Sequence, residues 1–191
     1  MRFFSRYSDL ILKTFLYQIV MSFFGLMMFT ATSGNAFLFL LGQIAILLFW
    51  AFILFHQGMQ KGQKMCEKEP GSSPFGGFLP ALIAFLPAIL LSVWSYLSKP
   101  YAPDGAGQNL VPFLLNKTLL QGMYVGLAQK IFPTTVSGAS SAVEVQNAAA
   151  LNRQTLLYLF TSLPGILLCG VGYLFGHLNF SGLKKKKSGS K

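Results

Sequence analysis

Four stretches of this chain lack any Asp, Glu, Lys or Arg over the length a membrane-crossing helix needs. They are about Thr14–Ala31 (TFLYQIVMSFFGLMMFTA), Ala36–His56 (AFLFLLGQIAILLFWAFILFH), Gly77–Leu97 (GFLPALIAFLPAILLSVWSYL) and Thr155–Gly176 (TLLYLFTSLPGILLCGVGYLFG). A helix rises about 1.5 Å per residue, so about 20 residues cross about 30 Å of hydrocarbon. Lipid offers the backbone no hydrogen-bond partners, so such runs must satisfy themselves as helices. Only 10% of the 191 residues are charged, and 53% are hydrophobic. A soluble domain carries roughly 25% charged residues to cover its surface. The expected fold class is therefore all-α: one integral membrane helical bundle with four transmembrane helices, embedded in a lipid bilayer. The N-terminal stretch MRFFSRYSDLILK begins like a signal peptide. The apolar run after it exceeds a signal core of roughly 7–15 residues, so it reads as a retained first span.

The connections set the topology. Thr32-Ser33-Gly34-Asn35 is turn chemistry suited to a tight helical hairpin. HQGMQKGQKMCEKEPGSSPFG, between spans two and three, reads as a polar, basic loop. Eleven of the fifteen basic residues precede span one, lie in that loop or follow span four. Lysine and arginine concentrate on the cytoplasmic side, which places both termini there. The run Lys184–Lys187 would then stop the last helix and meet anionic lipid. Nucleic-acid binding is not expected of so short a basic tail without interleaved aromatics.

Residues 98–154 form the outer connection. Within it, NLVPFLLNKTLLQGMYVGLAQKIF (109–132) is long enough to span but is interrupted by Asn116, Lys117, Gln121, Gln129 and Lys130. At 100° per residue these polar positions give no single face. An outer interfacial helix or a re-entrant piece is expected, with a fifth span as the alternative. Ser141-Ala142-Val143-Glu144 matches a capping box. A helix starting near Ala142 would run on through span four to Gly176.

The residues that carry chemistry are few. Ionisable groups within spans mark ion paths, and here the spans hold none. Gln18 and Gln43 are the candidate intramembrane polar pair, expected to bond across the first hairpin for about 1 kcal/mol. His56 and His177 fall at expected helix ends, and Cys66 in the basic loop. Their spacing matches no metal motif, no nucleophile motif and no phosphate loop. No catalytic residue, metal or cofactor is expected, and no disulfide between Cys66 and Cys169. Ala84 and Ala88, and Gly172 and Gly176, form small-xxx-small pairs that let helices approach closely. Pro87 and Pro164 lie inside spans and are candidate kinks, each removing a donor to the carbonyl four residues back, at Ile83 and Phe160.

FHQGMQKGQK after span two, NLVPFLLNK in the outer segment and LPGILLCGVGYLFGH in span four together resemble an uncharacterised group of small bacterial polytopic membrane proteins. That resemblance implies a bacterial plasma membrane and no assigned activity. The functional expectation is a non-enzymatic subunit of a transport or envelope complex. It would act through helix contacts with a membrane protein partner or a second copy. The alternative is a self-sufficient small-solute carrier or substrate-binding component with a site between kinked spans three and four.

Overall fold

The computed structural model describes residues 2–32, 34–69, 71–98, 111–133 and 141–188; the side chains of residue 2, of 141–149 and of 180–188 lie outside the description. The elements in order are α1 (Arg2–Thr32), α2 (Ala36–Lys68), α3 (Phe78–Leu97), a broken segment from Val111 to Ile131, and α6 (Ser141–Ser188). Among the described residues there is no strand. Among them four helices are long and apolar enough to cross a membrane, and the molecule is an all-α helical bundle. Its large exposed side chains fit that environment: Phe24, Met27, Leu48, Phe52 and Leu90 lie on outer helix faces. In water they would be a liability, whereas lipid is their solvent.

The long helices are divided between two compact units. The first comprises residues 1–16, 48–85 and 163–191, and the second 17–47 and 86–162.

In the first unit α2 and α6 touch backbone to backbone. A Cβ on Gly58 would strike the Cys169 carbonyl, and one on Gly62 the Tyr173 carbonyl. Reciprocally, a Cβ on Gly172 would strike the Phe55 carbonyl and one on Gly176 that of Met59. Two glycine pairs at four-residue spacing thus interlock, one on each helix. Residues 57–68, expected as loop, are helical instead. α2 continues to Lys68 because Gly58 and Gly62 give that stretch a surface to pack on. Cys66, expected in the basic loop, is buried together with Met65. Both cysteines are free thiols. Tyr173 sits at the centre of this unit with its hydroxyl 3.3 Å from that of Tyr7. Gly165 admits the rings of Phe85 and Trp50, which meet edge to face at 6.0 Å.

The second unit holds the α1–α2 turn. The Asn35 side chain accepts from the backbone N–H groups of Phe37 (3.0 Å) and Leu38 (3.2 Å), capping α2. Phe29 and Phe39 close the hairpin edge to face at 6.1 Å. Between α3 and α6 lies the broken segment: α4 (Val111–Leu115), a π turn (Asn116–Leu120), a 3-10 turn (Gly122–Tyr124) and α5 (Val125–Ile131). Its longest continuous helical piece, Val111–Leu120, is shorter than the 18 residues of a candidate span and than the roughly 20 a crossing requires. Among the described residues this segment therefore supplies no fifth spanning helix. α6 begins at Ser141, within one residue of the start that the capping pattern indicates.

Candidate functional site

The broken segment is re-entrant. Ser95, near the end of α3, lies 3.4 Å from Thr155 on α6 (hydroxyl to hydroxyl). The end of α3 and the part of α6 where its apolar run begins, at Thr155, therefore lie side by side in the second unit. Between those points the chain dips inward and returns. At the tip, Gln121 lies beside Tyr158 and Ser162. At the exit, the Phe132 carbonyl accepts from the Gln154 amide at 2.7 Å. From Gln154 to Ser162 is about 12 Å along α6 at the helical rise. The segment thus reaches well into the bundle before turning back.

Non-helical backbone at membrane depth persists only where protein or a wet cavity satisfies it. Here three of the polar interruptions, Asn116, Gln121 and Gln129, meet different neighbours. Asn116 Nδ2 donates to the Ser92 hydroxyl of α3 at 2.7 Å. Gln121 Nε2 donates to the Tyr158 carbonyl (3.3 Å) and to the Ser162 hydroxyl (3.0 Å). Gln121 Oε1 accepts from Thr161 Oγ1 at 3.1 Å. Gln129 Oε1 accepts from Gln154 Nε2 at 3.2 Å. These residues give no common polar face because the segment is not one helix and its partners surround it. Sequence reasoning does not pick out the partners Ser92 of Asn116, Ser162 of Gln121 and Gln154 of Gln129. The absence of a single face is the one available signal.

The tip meets α1 through glycine. A Cβ on Gly122 would strike the Ser22 carbonyl, and one on Gly25 the Met123 backbone. One turn further along, a Cβ on Gly126 would come within 2.7 Å of Gln43 Oε1. Ser22 and Gln43 therefore border the same run, 122–126. Gln18 lies one turn before Ser22 on the same face of α1.

These three side chains differ from the others. Gln18 is 1% exposed and Gln43 5%. Among the described residues, neither their amide nitrogens nor their amide oxygens have a hydrogen-bond partner, and the same holds for Ser22 Oγ. The hydrogen bond expected between Gln18 and Gln43 across the hairpin is not formed. Each unpaired buried amide costs about 1–3 kcal/mol. Asn116 Oδ1 and the Tyr158 hydroxyl are likewise buried without partners. The unit therefore contains a set of neutral donors and acceptors turned away from lipid, none carrying a charge.

A cavity of about 440 Å³ lies at the hairpin end, lined by Phe29, Gly34, Phe39, Gly126, Gln129 and Lys130, among others. Gly126 belongs both to this cavity and to the wall against the Gln43 amide.

The other sequence-derived positions fall elsewhere. Ala84 is buried in the first unit and Ala88 in the second. Gly172 and Gly176 are occupied by α2 within the chain itself. Pro87 lies inside α3 and Pro164 inside α6. His56 lies within α2, 2.8 Å from Gln60. His177 lies within α6, 3.1 Å from Ser72. Among the described residues no three His, Cys, Asp or Glu side chains come together as a metal site would require. The side chains of Lys184–Lys187 lie outside the described residues. No family model, no curated protein and no solved structure matches the chain.

Proposed function

We propose that this membrane protein takes a small, uncharged, hydrogen-bonding solute into the second unit, in a transport or solute-binding role. The observation that carries the reading is the pair of buried, unpartnered amides of Gln18 and Gln43. A bundle that needed only stability would place leucine at both positions. Amides offer donor and acceptor together, which suits alcohols, amides and water. The residues packed directly against run 122–126, Ser22 and Gln43, are uncharged, which favours a neutral solute over an ion; Lys130 stands at the outer cavity. Broken helices lining a midplane site are a recurring device of transporters.

The reading of a complex subunit acting through Ala84, Ala88, Gly172 and Gly176 is weaker, because all four are consumed by packing within the chain. The setting we propose is a bacterial plasma membrane with both termini cytoplasmic, on the basic-residue bias and the family resemblance. Anionic lipid at Lys184–Lys187 belongs to the same proposal. The test is osmotic: liposomes containing the protein are mixed with hyperosmotic urea or glycerol and their reswelling is timed. Faster reswelling than in empty liposomes, abolished in Gln43→Leu, supports the reading. Rates equal to empty liposomes for water, urea and glycerol refute it.

A further inference from the structure

We propose that a second site, in the first unit, binds a zwitterionic lipid head group carrying both a phosphate and a primary amine. The site is an open cavity of about 610 Å³ whose lining includes Phe3, Arg6, Tyr7, Glu69, Ser72 and Ser73. Arg6 stands near the start of α1 and Glu69 directly after α2, at the helix ends remote from the α1–α2 turn. That is the level at which a helix leaves hydrocarbon and meets head groups.

The charges on the wall dictate the ligand class. The Arg6 guanidinium and the Glu69 carboxylate are 2.9 Å apart, with side chains 44% and 41% exposed. A guanidinium has five N–H donors and a carboxylate about four acceptor positions, so one pairing leaves both with capacity to spare. A simple anion gains at Arg6 and is repelled at Glu69, and a simple cation meets the reverse. A molecule with both charges a few ångströms apart satisfies both walls at once.

The hydroxyls add the phosphate contacts. Ser72 Oγ is held 3.1 Å from Nε2 of His177, a residue only 6% exposed. The imidazole is fixed in turn by stacking on Tyr173, with ring centroids 6.2 Å apart. In the tautomer whose Nε2 donates, the Ser72 proton is free to point at a phosphate oxygen. No sequence pattern joins Ser72 and His177, which are 105 positions apart.

The lipid is favoured as the source by the apolar surroundings. The rings of Phe3 and Tyr7 meet at a tilt, with centroids 5.0 Å apart. Phe4 and Phe75, in the same stretches of chain, are large exposed rings. They offer acyl chains a place to lie beside a bound head group.

The test uses the full chain in nanodiscs with equal phosphatidylethanolamine, phosphatidylcholine and phosphatidylglycerol, released and weighed by native mass spectrometry. Phosphatidylethanolamine is expected to be retained about tenfold over phosphatidylcholine. That factor corresponds to about 1.4 kcal/mol, for one charge-assisted hydrogen bond that a methylated amine cannot donate. Glu69→Gln should erase that preference while leaving phosphate-dependent retention. Arg6→Gln should lower retention of all three lipids, and Ser72→Ala should weaken retention without touching the ion pair. Lys13→Gln, outside the cavity, should change nothing. Equal retention of the two lipids by the unmodified protein, or an intact preference in Glu69→Gln, overturns the proposal. Soluble phosphoethanolamine is the last arm: if it displaces the lipid at equal concentration, the site serves a free solute and the lipid assignment fails.

Discussion

Gln121 and Gln43 are both buried amides beside the re-entrant tip, and replacing each with leucine should move stability in opposite directions. Gln121 makes three side-chain hydrogen bonds: to the Tyr158 carbonyl, to the Ser162 hydroxyl and from the Thr161 hydroxyl. Side-chain hydrogen bonds between membrane helices are worth about 0.6 kcal/mol on average, so the set contributes about 2 kcal/mol. The loss does not grow much beyond that. Both α6 hydroxyls already face the Tyr158 carbonyl, Thr161 at 3.0 Å and Ser162 at 3.4 Å, and fall back on it. Gln43 has no bond to lose, and leucine has similar volume. Gln43→Leu should therefore be neutral or stabilising by about 1–2 kcal/mol, the cost of an unpaired buried amide removed. The assay is equilibrium unfolding from mild detergent into SDS, followed by circular dichroism, with both variants in parallel. If Gln43→Leu destabilises as much as Gln121→Leu, the Gln43 amide is a structural partner within the chain. The solute site would then be refuted.

Gly172→Leu and Gly176→Leu should each separate α2 from α6 and destabilise by at least the roughly 1–3 kcal/mol of an overpacked core, read as a lower SDS midpoint; an unchanged midpoint would contradict the interlock. Gly122→Val should lift the tip off Ser22 and make introduced tip cysteines reactive toward maleimide, whereas Gly71→Val, with open space around it, should not. Tyr7→Phe and Tyr173→Phe each break one shared hydroxyl contact, so each should cost about 1 kcal/mol and the double variant no more than either alone. Cys66 and Cys169 are buried and should resist maleimide until SDS unfolds the chain; rapid labelling of the native protein would contradict the packing of the first unit.

Much of the fold is legible in the sequence because lipid permits so few solutions. Four uncharged runs mark four helices, and Ser141-Ala142-Val143-Glu144 marks the start of the last one. The second helix reads too short. Charge and glycine in FHQGMQKGQK look like loop, and only Cys169 and Tyr173, more than a hundred positions away, explain why the helix continues. Gln18 and Gln43 stand out as buried intramembrane polar residues, since sequence does reveal an amide inside an apolar run. Their surroundings are not legible. A hydrogen bond across the hairpin is the economical expectation, yet Gln43 turns toward Gly126 of a segment whose course no periodicity describes. The same lack of periodicity hides the roles of Asn116 and Gln121, because a chain surrounded by helices has no single buried face.

The central claim is that residues 111–131 enter and leave the bundle at one end, with their tip inside. Single cysteines at Val111, Met123 and Ile131, in a Cys66→Ala, Cys169→Ala background, test it with a membrane-impermeant maleimide on vesicles of both orientations. Val111 is 56% exposed, Ile131 48% and Met123 0%. Positions 111 and 131 should react from the same side, and position 123 should be protected from both. Reaction of 111 and 131 from opposite sides, or of 123 as fast as 111, would contradict the re-entrant course.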